Sequence, residues 1–169
     1  LMVCCSHTHA GPLTLPFRGM GAQDPVYMQR LEDDVIAVVT RALADAAPAT
    51  MSYARVPAHI GVNRRQTRNG RTVLGRDPGG PTAPYAHVVG CEVEGALRAV
   101  LFSHACHGVV LGQSNLEISA DMPGAAARHI EAATGATALF VNGACGDVNP
   151  RRTHADFAAV EKLGSELGR

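Results

Sequence analysis

The sequence predicts a layered α/β fold, a mixed β-sheet flanked by helices. Three observations carry this expectation. Segments with helical apolar spacing alternate with short apolar or alternating runs of strand length. Hydrophobic residues make up 46% of the chain but aromatics only 4%, so the core must be aliphatic and Ala-rich. Phrases rich in His, Gly and Asn fall at the ends of predicted strands, where α/β sheets gather their ligand sites. At 169 residues the chain suits one domain, residues 1–169, and has the length to bury a core. It reads as incomplete, opening inside a strand-like run without a signal peptide and closing at the end of a helix.

Taken in order, Met2-Val3-Cys4-Cys5 reads as a strand that Gly11-Pro12 brings to a stop. Asp24 is an N-cap with Pro25 at the first helical position. Behind it Leu31, Val35, Val38, Ala42 and Ala46 keep helical spacing as far as Pro48. Met51 to Val62 reads as a strand broken at Pro57, and Gln66 to Pro84, rich in Arg, Gly, Asp and Pro, as a long surface loop. His87 to Glu94 and Leu97 to His104 form a hairpin that turns at Glu94-Gly95-Ala96. A helix runs from near Pro123 to Thr134 and ends at Gly135, and Thr137 to Val141 is a short buried strand. Thr153-His154-Ala155-Asp156 opens the last helix as a capping box, with Phe157, Val160, Leu163 and Leu167 as its apolar stripe.

Composition excludes several functions. Fifteen basic and fifteen acidic residues cancel, and no basic stripe supports nucleic-acid binding. The five cysteines form no C-x-x-C pair and are odd in number, which argues for small buried thiols rather than a disulfide scaffold. No apolar run approaches the roughly eighteen residues of a membrane helix. Neither compartment nor oligomeric state is written in these patterns.

The chemistry-bearing phrase is Ser6-His7-Thr8-His9-Ala10-Gly11-Pro12. Side chains alternate along a strand, so an extended backbone puts His7 and His9 on one side, as one metal ligand and a neighbour or as two ligands. A second phrase, Ser103-His104-Ala105-Cys106-His107-Gly108, ends another apolar run. Two more, Gly61-Val62-Asn63-Arg64-Arg65 and Gly143 to Pro150, complete a set at strand ends. Neutral imidazoles suit zinc, and a guanidinium beside them suits a polar or anionic substrate group or a carbonyl oxygen gaining charge. Each residue also has a plainer reading. Arg64 and Arg65 read equally as solvated charges, Asp121 as a helix cap or as support for His107, and Asp147 as a tie for its turn or as pocket lining. His104 is chiefly structural, His59, His87, His129 and His154 have no supporting context, and Cys145 reads as a small residue in a tight turn rather than a nucleophile.

In this order the phrases resemble the N-terminal catalytic region of the neutral ceramidase family, zinc-dependent amidases. The likeness rests on SHTHAGP at 6–12, Asn63-Arg64, Cys106-His107-Gly108, the N-x-x-I-S-x-D-x-x-G run from Asn115 to Gly124, and Asn142 to Pro150. It implies that His7 and His107 are zinc ligands, that His9 is a supporting or substrate-contacting imidazole, and that Arg64 is a cation at the substrate; Asp121 and Asp147, on their own reading, are the candidates to line the substrate site beside it. It implies Zn2+ as cofactor and a small-molecule or lipid amide as substrate, and its members are often secreted or periplasmic. The family completes its metal shell with a Glu and a Tyr from much later in the chain, beyond Arg169. Where it carries a Ser before the last Pro, this sequence has Asn149, which hydrogen-bonds but cannot form an acyl intermediate. That leaves attack by zinc-activated water as the expected chemistry. A zinc esterase or deacetylase acting on a non-lipid, and a non-catalytic metal-binding module that kept the fold, remain the alternatives.

Overall fold

The computed structural model describes residues 1–169. Two compact units divide the chain, one made of Gly11–Pro48 and the other of Leu1–Ala10 together with Ala49–Arg169.

In the smaller unit, α1 spans Pro25–Ala44 as its caps dictate. The Asp24 carboxylate accepts from the backbone N–H groups of Val26 and Tyr27, which have no partner inside the helix. None of its residues is buried within the chain, although Leu31 and Val35 of the expected stripe are half-covered.

The larger unit runs β1 (Thr50–Pro57), β2 (Gly61–Arg68), β3 (Arg71–Asp77), β4 (Tyr85–Val93), β5 (Ala96–His104), α2 (Asp121–Thr134), β6 (Thr137–Asn142), β7 (Val148–Pro150) and α3 (Phe157–Leu167). This is the expected mixed α/β architecture, with two sheets. The first has the order β1-β4-β5-β6, antiparallel except for the parallel pair β5–β6 that α2 connects. The second has the order β3-β2-β7 and is antiparallel throughout. Alternation along β5 buries Val100, Phe102 and His104, and Phe102 joins Ala138, Met122, Val160 and Leu163 in one core. That core is aliphatic, as the composition demanded.

Two expectations are corrected. The stretch Gln66 to Pro84 is not one long loop. Its first part completes β2 and forms β3, joined at Asn69-Gly70, where both residues have positive φ (51° and 71°), the signature of a type I′ turn. The strands hide because five arginines and a Gln give them no apolar alternation. Likewise Met2–Cys5 is not a strand. The run is exposed and unpaired, Cys4 and Cys5 are exposed rather than buried, and only Thr8 makes a bridge, to Gly108. β-prone residues form no strand without a ladder partner. All five cysteines are free thiols. No helix is long and apolar enough to cross a membrane.

The last helix is capped by Asp156, whose carboxylate accepts from Ala159 N–H, rather than by Thr153. It crosses α2 at its closest where Gly164 meets Ala125: a Cβ on Gly164 would lie 2.3 Å from Ala125 Cβ and 2.9 Å from its carbonyl carbon. Backbone cannot swing aside as a side chain does, so Gly164→Ala forces the helices apart. We expect a loss of about 2 kcal/mol, within the usual range for overpacking, read from the urea midpoint at unchanged m-value.

Candidate metal centre

The larger unit brings four of the phrases together by backbone bonds. His9 N–H donates to Gly108 O at 3.1 Å beside the Thr8–Gly108 bridge. Thr8 Oγ1 donates to Ser119 O at 2.9 Å, and Ser119 N–H to Ala10 O at 2.8 Å. Gly108 is required there, since a Cβ would sit 3.0 Å from Thr8 Cα and 3.2 Å from His7 O. Asn142 ties a further strand end in. Its Oδ1 faces Cys106 N–H, and its Nδ2 faces Ser6 O and Cys145 Sγ, each at 3.4 Å. The roles of Thr8 and Asn142 were not anticipated from the sequence, although both belong to the phrases that carried the resemblance.

The result is a cluster of three imidazoles. One ring nitrogen from each of His7, His9 and His107 lies within 4.8 Å of the others. His7 and His107 rings are 4.7 Å apart between centroids, and His7 and His9 rings 4.9 Å. His7 reaches this position differently from the way an extended strand would place it: its φ is 61°, in the left-handed region, and the turn itself aims the ring. His107 is 4% exposed. Its Nδ1 lies 3.0 Å from Val148 O, a carbonyl that can only accept, so Nδ1 carries the proton and Nε2 is bare. Val148 O also takes the backbone N–H of His107, at 3.0 Å.

The remaining candidates have distinct partners. Arg64 is pinned to the turn before β7, its N–H donating to Asp147 O at 2.7 Å and its Nε to Gly146 O at 3.0 Å. It pairs with no carboxylate. Asp147 Oδ2 accepts from buried Asn63 Nδ2 at 3.3 Å, which ties the same turn to β2. Asp121 is 1% exposed, and its carboxylate accepts from the N–H groups of Val110, Leu111 and Met122. It thereby shapes the segment that follows His107 and Gly108. Asn149 lies on β7 opposite Val62, with a buried Oδ1 that has no partner. Buried His104 hydrogen-bonds Tyr85 O through Nδ1, and its Nε2 also has no partner. Arg65 and Cys145 contribute no ring or carboxylate to the cluster. A concavity of about 730 Å³ lies along Met28, Leu31 and Val35 of α1 and contains none of the imidazoles.

Burial disfavours the charged form of His107, His9 and His104. Burial lowers the pKa of His107 below the usual imidazole value, the positive charges of Arg64 and His7 lower it further, and the Val148 hydrogen bond opposes them. Burial, His7 and Arg64 lower His9, with the Asp121 carboxylate opposing. Burial lowers His104. Each shift has one sign: the unfolded chain takes up protons that the folded chain refuses. Stability is therefore full above the unfolded value, near pH 6.5, and is lost as the pH falls through the depressed folded values. We expect urea midpoints that hold steady from about pH 8 to 7 and drop as the pH falls below about 6.5.

Three imidazole nitrogens are a donor set that suits a borderline divalent cation such as zinc. His7, His9 and His107 together form a group that could hold a metal ion. Two solved structures share the fold. The neutral ceramidase from Pseudomonas aeruginosa superposes with a TM-score of 0.67 at 18% identity, over 83% of this chain and 25% of that one. A ceramidase complexed with C2 gives a TM-score of 0.68 at 18% identity, over 83% and 24%. At this identity the likeness is one of fold, and the chain spans about a quarter of the length of those enzymes. No protein-family model and no curated protein matches the sequence.

Proposed function

We propose that the chain carries the metal-binding part of a zinc-dependent hydrolase of linear amides, with ceramide or another N-acyl amide as the substrate class. The observation behind this reading is the convergence of His7, His9 and His107 on a fold that neutral ceramidase shares. His7 and His107 would hold the ion, which when bound lowers the pKa of a water molecule and polarises an amide carbonyl. The protein's own groups do the rest. Val148 O fixes the tautomer of His107 and leaves its Nε2 bare for the ion. Arg64, held by Nε and free of any carboxylate partner, offers its terminal N–H groups to the substrate carbonyl as charge gathers on it. Asn149 Oδ1 is an acceptor for a substrate N–H or a water, and an amide there rules out an acyl-enzyme at this position.

Asn149 also favours a second reading, a metal-binding module without catalysis. One assay separates these. The zinc-loaded 169-residue chain and its chelator-stripped form are incubated with ceramide, short N-acyl amides and the matching esters. Acyl release from amides in the loaded form alone supports the hydrolase, and release from esters alone moves the assignment to a zinc esterase. Tight zinc binding with turnover of none of them leaves residues 1–169 a metal-binding part without activity of its own, and the same assay on the chain with its downstream sequence then separates hydrolase from module.

A further inference from the structure

We propose that the apolar face of α1 is a docking surface for a second copy of this chain, the two helices packing antiparallel about a two-fold axis. The surface belongs to the smaller unit and uses none of the imidazoles.

α1 carries a wider apolar face than a solvated helix needs. Met28, Leu31, Val35, Val38 and Ala42 follow one another at alternating intervals of three and four residues, the seam of a helix that packs lengthwise on another. Ile36 and Leu43, both exposed, widen the seam on one side. None of the helix's twenty residues is buried within the chain, and an open concavity runs along Met28, Leu31 and Val35. Such a helix draws most of its stability from packing of its apolar face, and the cap at Asp24 supplies only a small part of that.

Charge selects the occupant and its direction. Asp34 and Arg41 lie on the other flank of the seam, two turns apart. In an antiparallel pair Val35 packs on Val38 of the second copy and Leu31 on Ala42 of the second copy. Asp34 of each copy then meets Arg41 of the other, twice by symmetry. In a parallel pair Asp34 would face Val39, and no charge would be matched. Arg41 has no carboxylate partner within the chain, and Asp34 has only the exposed guanidinium of Arg30, at 3.6 Å. A lipid surface fits less well, because Glu32, Asp33 and Asp34 outnumber Arg30 and Arg41, and helices that lie on membranes carry a basic polar face. A second copy covers both apolar faces at once along helices about 30 Å long.

Sedimentation equilibrium of the 169-residue chain over a wide range of concentration tests this. We expect a reversible monomer–dimer equilibrium that Leu31→Glu abolishes by placing a carboxylate in the seam. Asp34→Arg and Arg41→Asp should each weaken the dimer roughly tenfold or more, and the double exchange should restore it by remaking the pair in the opposite sense. A monomer at every concentration overturns the proposal, as does a dimer that Leu31→Glu and both single exchanges leave intact. Failure of the double exchange to restore the dimer overturns the antiparallel arrangement. A monomer that binds phosphatidylcholine vesicles, and loses that binding in Leu31→Glu, overturns the proposal in favour of a lipid surface.

Discussion

Replacing His107 by glutamine is expected to weaken zinc binding by more than the 10–100-fold that loss of an outer supporting hydrogen bond causes, while the fold survives. The expectation follows from what His107 touches. Its Nδ1 is committed to Val148 O, so its other nitrogen is bare, and one of its ring nitrogens lies within 4.8 Å of those of His7 and His9. That carbonyl keeps a partner in the variant, because the backbone N–H of residue 107 also donates to it. Glutamine fills much of the space, and no buried acceptor is abandoned. Competition with a chelator reads the affinity and thermal unfolding reads the fold. Equal affinity in parent and variant would remove His107 from the shell.

The largest effect on stability is expected at Asp121. Three backbone N–H groups converge on its buried carboxylate, and its own φ of 51° is one that Asp and Asn tolerate better than Ala. Asp121→Ala abandons all three donors, each costing about 1–3 kcal/mol when left buried and unmet. Added to the backbone strain, the loss should reach about 4 kcal/mol or more. Asp121→Asn retains an oxygen for Val110 and Met122 but turns an NH2 group toward Leu111 N–H, so about half that loss is expected. Urea unfolding of both variants checks the order. Equal losses would mean that charge, rather than the count of acceptors, holds the loop. Since that loop follows directly on His107 and Gly108, zinc affinity should fall in step with stability.

Much of this fold was legible because the relevant signals are local. Asp24-Pro25 started α1, Glu94-Gly95 turned the β4–β5 hairpin with φ of 53° and 78°, and Gly135 ended α2. The β2–β3 hairpin was missed although Asn69-Gly70 is a strong turn signal, because polar strands on a small sheet show no apolar period. Met2–Cys5 was misread for the opposite reason, an apolar β-prone run that finds no partner. At the site, strand alternation led to the right side for His7 and His9 through a conformation His7 does not adopt. The nearness of His9 to His107 could not be read from spacing. It depends on one backbone approach, at Gly108, between segments far apart in sequence.

The most direct test of the account is a zinc-edge anomalous map from crystals of the zinc-loaded chain. The account expects one strong peak among the ring nitrogens of His7, His9 and His107, absent after chelation. A zinc peak bound elsewhere on the chain, with the three imidazoles left unliganded, would contradict it.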